Sequence, residues 1–132
     1  MARGYESHQE RVRALSMLGK DLARRAKSKC EVCQAAGVPL QIHEVAPAPK
    51  EPDFDHVIMV CAACDAALSD PSSPLDPNRW RVLTETLWSD APAVRVSVVR
   101  LLQRLAKEAD WARDTLEEAY LEDDILEWAA KG

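Results

Sequence analysis

Lys29-Cys30-Glu31-Val32-Cys33 and, further along, Val60-Cys61-Ala62-Ala63-Cys64 contain every cysteine of the chain, in two Cys-x2-Cys pairs separated by 27 residues. Each pair has the spacing that lets two thiolates point at one ion, and the separation suits a hairpin that folds the second pair back onto the first. Four sulfurs at tetrahedral positions select zinc, or iron in a rubredoxin-like site. Such a site fills its coordination sphere, leaves no position for water, and is therefore structural. A cytosolic redox pair or four unrelated core thiols are the competing readings, and the doubled spacing argues against both. Neither pair is followed by the glycine that often eases a metal knuckle, since Gln34 and Asp65 stand there.

On the N-terminal side of Cys30, from about Glu6 to Lys27, Val12, Leu15, Leu18, Leu22 and Ala23 recur at helical intervals without a proline. This predicts one amphipathic helix whose last turn is basic, the sign that suits the helix dipole. Between the cysteine pairs, Leu40 to Val45 alternates loosely with polar residues and Val57 to Val60 is β-prone, with Pro47, Pro49 and Pro52 between them. A two-stranded hairpin follows. After Cys64 a brief helix is expected to end near Ser69, because Asp70-Pro71-Ser72-Ser73-Pro74 cannot continue it.

The remainder reads as helix. Asp76-Pro77 offers an N-cap and a proline at the first helical position, followed by Trp80, Leu83 and Leu87. Pro92 opens the next helix, in which Val94, Val96, Val98 and Val99 argue for a strand but Leu101, Leu102 and Leu105 favour a helix. Asp110 caps a segment to about Leu121, and Asp123-Asp124 cap a last one containing Trp128. Trp80, Trp88, Trp111 and Trp128 all fall here and are expected to pack these helices onto one another and onto the first helix.

At 132 residues and 47% hydrophobic, the chain can bury one core but not two. The expected architecture is mainly α with a small zinc-bound β-hairpin, in three parts packed as one domain. These are an amphipathic helix over 1–29, a four-cysteine knuckle and hairpin over 30–68, and a helical region over 76–132. No stretch reads as a secretory signal or a membrane span, which places the protein in the cytoplasm, where paired cysteines hold metal more often than they form disulfides.

The net charge of −5 is uneven: residues 1–34 carry eight Lys/Arg against four Asp/Glu, and residues 105–132 carry three against nine. Both ends are readable as solvated helix faces. The sharper reading is that Arg24, Arg25, Lys27 and Lys29 meet a phosphate backbone, although the acidic total argues against strong non-specific nucleic-acid binding.

Two resemblances overlie this pattern. Leu40-Gln41-Ile42-His43-Glu44-Val45 followed by His56-Val57-Ile58-Met59-Val60-Cys61-Ala62-Ala63-Cys64-Asp65 resembles the treble-clef core of HNH endonucleases. The resemblance puts His43 at a metal-ligand position, Glu44 where those enzymes carry the base histidine, His56 at the central polar position and Asp65 at the last ligand. With the base histidine replaced, His43 and His56 also read as neighbours of the metal loop without chemistry.

More of the chain, residues 15–130, is similar to the N-terminal part of PhnA-like proteins. The matching strings are the basic helix into Lys29-Cys30-Glu31-Val32-Cys33, then Val45-Ala46-Pro47, Val60-Cys61-Ala62-Ala63-Cys64, Asn78-Arg79-Trp80-Arg81-Val82-Leu83, Leu87-Trp88-Ser89-Asp90-Ala91-Pro92-Ala93-Val94 and Tyr120-Leu121-Glu122-Asp123-Asp124. This resemblance implies a zinc-ribbon or treble-clef region followed by helices, in a family of unsettled role. Many members continue into a small β-barrel-like domain, which this chain is expected to lack. A phosphonate-hydrolase activity is not implied, because a closed four-thiolate site offers no metal-activated water. Three classes remain: a zinc-stabilised module that binds a protein partner or a second copy of itself, a nucleic-acid binder, and a degenerate HNH-like nuclease.

Overall fold

The computed structural model describes residues 2–132, with side chains from His8 onward. Helix α1 (Ala2–Ala26) leads into the first cysteine pair. Strand β1 (Leu40–Glu44) pairs antiparallel with β2 (Val57–Cys61), in a register that sets Leu40 against Cys61, Ile42 against Met59 and Glu44 against Val57. Helix α2 (Ala62–Ser69) begins directly at the end of β2. Then come α3 (Leu83–Thr86), α4 (Pro92–Leu105), α5 (Asp110–Glu118) and α6 (Asp123–Lys131). The molecule is thus mainly helical, with one small two-stranded sheet. No helix among the described residues is long and apolar enough to cross a membrane.

Strand β2 is buried along its whole length because it is covered on both faces. Its alternate side chains part company: Ile58 and Val60 join the main core with α4, while Val57 and Met59 form a second cluster with Leu15, Leu18, Leu22 and Ala26 of α1. This is why Val57 to Val60 reads as a continuous apolar run instead of an alternating one. Helix α4 is the centre of the main core, burying Ala93, Val94, Val96, Ser97, Val98, Val99, Leu101, Leu102 and Leu105, with α5 and α6 packed against it. A helix apolar on most sides is one surrounded by other elements, and that setting resolves the valine run in favour of helix.

The structure departs from sequence expectation at five places, one being that Asp110 and Asp123 are the first helical residues of α5 and α6, whose N-caps are Ala109 and Glu122. Helix α1 starts earlier than Glu6. Cys64 lies inside α2, because that helix starts at Ala62 and not after the cysteine. The helix expected from Asp76-Pro77 is a run of tight turns that becomes α-helical only at Leu83. Asp76 Oδ1 accepts the Asn78 N–H at 3.0 Å, and the backbone closes over three residues, with Arg79 N donating to Asp76 O (3.1 Å) and Leu83 N to Trp80 O (3.0 Å). The Asx turn competes with regular helix, while Trp80, Leu83 and Leu87 still reach the core. Finally, the four tryptophans do not share one role: Trp80 is 3% exposed and Trp88 60%.

Candidate metal centre

The first pair sits in a knuckle. Cys30 N donates to Ala35 O at 2.9 Å and Gln34 N to Cys30 O at 2.8 Å, which turns the chain around Cys33. Gln34 adopts the left-handed conformation, with φ of 64°, in the place where a glycine would have been unstrained. The second pair needs no such turn. Cys61 is the N-cap residue of α2 and Cys64 lies in its first turn, so α-helical geometry brings both sulfurs to the helix start, where the dipole favours negative thiolates.

Register and knuckle together place all four Sγ atoms within 4.8 Å of one another. Cys30 and Cys64 are 3.6 Å apart, and Cys33 and Cys61 are 3.7 Å apart. Sulfurs held about 2.3 Å from a common tetrahedral ion lie about 3.8 Å from each other, so the spacing is compatible with a metal ion such as zinc. Cys30, Cys61 and Cys64 are buried, Cys33 is partly so, and all four thiols are free of disulfides. Among the described residues, no other group of three or more His, Cys, Asp or Glu side chains is placed to share an ion.

The cluster favours a negative charge on Cys30. Cys30 and Cys64 share a sulfur–sulfur hydrogen bond at 3.6 Å, and the Cys33 N–H donates to Cys30 Sγ at 3.5 Å. The hydrogen bond from Cys64, with backbone N–H donors against the opposing effect of burial, lowers the Cys30 pKa to about 4. Cys64 is raised, first by holding that proton and then by burial, and Cys33 is raised chiefly by burial.

Three side chains brace the loop. Arg25 Nε and Nη2 donate to the two carboxylate oxygens of Glu31, at 2.8 and 2.9 Å, and Nη2 also reaches Val57 O. Glu31 Oε1 accepts the Met59 N–H in turn, at 2.9 Å. Thr86 Oγ1 donates to Val32 O at 2.9 Å, tying α3 to the knuckle.

The other sequence-selected residues divide. Arg25 is engaged with Glu31 and stacks on Phe54, whereas Arg24, Lys27 and Lys29 are exposed. His43 Nδ1 and Asp65 Oδ1 are hydrogen-bonded at 2.9 Å. Glu44 is instead held by Arg11, at 2.9 and 2.5 Å, and His56 meets Asp53 at 3.2 Å and the Trp128 ring at 4.9 Å between centroids. So the fold joins two of the four HNH-like positions and sends the other two to separate partners. Sequence reasoning did not single out Arg11, Glu31 or Thr86. Glu31, enclosed between two ligand-spaced cysteines, was the signal available for such a brace.

No protein-family model matches this chain, and neither a curated protein nor a solved structure matches it.

Proposed function

We propose that Cys30, Cys33, Cys61 and Cys64 hold one structural zinc ion, and that the chain acts as a non-catalytic interaction module built around it. The observation that carries this reading is that four sulfurs lie within 4.8 Å of one another, and four thiolates would fill every position of a four-coordinate ion. Bound zinc would supply the charge that lets four thiolates sit together. The chain's own part is to present them, with the knuckle supplying one pair and the start of α2 the other. The order of knuckle, hairpin and helix fits a zinc-ribbon or treble-clef element, and we extend the resemblance to PhnA-like proteins on the same ground. A cytoplasmic location, where thiols stay reduced, suits the site. Exposed Met17, Val12 and Trp88 are apolar side chains available to a protein partner or a second copy.

Elemental analysis of the purified protein tests the metal. One zinc per chain, lost in each of the four Cys→Ser variants together with a fall in the thermal midpoint, is expected because metal-binding free energy is also folding free energy. Full metal content in any of these variants would overturn the four-cysteine site, and iron in its place would overturn zinc.

A second reading has one observation in its favour. Lys27, Lys29 and the exposed Trp88 line a single groove of about 340 Å³ beside the knuckle, the combination of cation and aromatic face that single-stranded nucleic acid uses. The nuclease reading lacks such support, because the carboxylate it needs, Glu44, is occupied by Arg11.

A further inference from the structure

A cleft of about 630 Å³, within the usual range for small-molecule sites, opens between the end of β1, the end of α2 and the outer face of α4 near α6. Leu68 and Pro71 give it apolar surface, and His43, Arg100, Arg104 and Lys107 line it with polar groups. Arg100 and Arg104 stand at i and i+4 on α4, and Lys107 follows in the turn just past its end. Like charges so placed repel by a few tenths of a kcal/mol per pair. The single acidic side chain in the lining, Glu44, has both oxygens bound to Arg11.

Neutral groups hold the two arginines. Arg100 Nε donates to Ala129 O at 3.2 Å, and its Nη2 donates to Trp128 O at 2.8 Å and to Ala46 O. Arg104 Nη1 donates to Ala67 O at 2.5 Å, and its Nη2 donates to Ser73 O at 2.6 Å and to Ser73 Oγ at 3.1 Å. Among the described residues neither arginine makes an ion pair, and Arg100 Nη1 and Arg104 Nε make no hydrogen bond. Burial pushes both guanidinium pKa values below the ordinary value, with Asp70 opposing it at Arg104. Partly buried cations whose partners are all neutral are short of a counter-charge, and in a chain of net charge −5 this concentration of positive charge runs against the average.

We propose that the cleft binds a small phosphomonoester, with its phosphate set against Arg100, Arg104 and Lys107 and its organic body against Leu68 and Pro71. Three cations exceed what one carboxylate neutralises and suit a dianion, and the donors left over, Arg100 Nη1 and Arg104 Nε, suit charge-assisted hydrogen bonds to phosphate oxygens. The site stands apart from the cysteine cluster, and binding there requires no chemical step.

Phenyl phosphate, a phosphomonoester with an apolar body, is the probe, and benzoate is its monoanionic counterpart. Both are titrated into the full-length, zinc-loaded protein while the backbone amides and the arginine Nε–H signals are followed by NMR. Lys107→Glu is the informative variant, because that side chain is exposed and makes no hydrogen bond among the described residues, so folding is not threatened. Arg24→Glu makes the same charge change on α1, away from the cleft. Saturable shifts at Leu101, Arg104 and Ala129 are expected with phenyl phosphate, weakened about tenfold or more by Lys107→Glu, unchanged by Arg24→Glu, and several-fold weaker with benzoate. Absence of saturable shifts by about 10 mM, equal loss in the two variants, or equal affinity for benzoate would each overturn the proposal.

Discussion

Arg25 and Glu31 meet in a two-pronged ion pair, at 2.8 and 2.9 Å, that joins the last turn of α1 to the loop between the first two cysteines. Glu31 is only 7% exposed at its side chain and also accepts the Met59 N–H, so one carboxylate connects helix, knuckle and β2. Removing it leaves a guanidinium and a backbone donor without their acceptor. Glu31→Ala is expected to cost about 2–4 kcal/mol, read as a lower urea midpoint at unchanged slope. A loss below about 0.5 kcal/mol, the range of an ordinary surface site, would show that the pair is dispensable.

Gln34 marks a different stress. Its φ of 64° holds a residue with a Cβ in the left-handed region, at a cost of about 1–2 kcal/mol that glycine avoids, partly offset by the extra freedom glycine gains when unfolded. Gln34→Gly should therefore raise stability by up to about 1 kcal/mol. Gln34→Val should lower it, because a β-branched side chain tolerates this conformation least. Thermal melts of the two variants that move in the same direction would contradict the argument.

How far these features were visible in the sequence depended on how local their causes are. Cys-x2-Cys spacing is local, and the fold brings both pairs together. The apolar run Val57 to Val60 is also local, but its burial on both faces depends on α1 and α4, which lie on opposite sides of it. At Asp76-Pro77 a genuine capping signal was present, yet Asp76 caps an Asx turn and the helix waits until Leu83. Trp80 and Trp88 sit eight residues apart in similar company, and only the turn geometry between them sends one inward and the other out. Arg11 with Glu44, and Arg25 with Glu31, join helix α1 to later segments, and no periodicity announces such partners.

The thiol cluster sets the pH behaviour of metal-stripped protein. Cys30 is held down to about 4 when folded, so the stability it contributes is complete only above the ordinary thiol value of about 8.5 and is lost steadily as pH falls from there to about 4. Cys33 and Cys64 are raised, so their contribution is intact below the ordinary thiol value of about 8.5 and declines as pH rises above it. The thermal midpoint of chelator-treated protein should therefore rise from about pH 4 to a maximum near the ordinary thiol value of about 8.5 and fall beyond it. Cys30→Ser should flatten the acid side of that profile relative to wild type; identical acid limbs would assign the loss to carboxylates instead.

Trp80 and Trp88 separate core packing from recognition. Trp80, 3% exposed, should cost about 3–5 kcal/mol when replaced by alanine. Trp88, 60% exposed, should cost less than about 0.5 kcal/mol. If the groove it shares with Lys27 and Lys29 takes single-stranded nucleic acid, Trp88→Ala should weaken binding by about 1–3 kcal/mol with the fold intact. Lys27→Gln and Lys29→Gln should then each reduce the slope of log affinity against log salt by about 0.7, the single-strand value per phosphate contact. Fluorescence anisotropy with a labelled oligonucleotide at several salt concentrations measures both effects. Weak binding whose salt slope is the same in wild type and both lysine variants would remove nucleic acid from consideration at this groove and leave Trp88 as a contact for a protein partner.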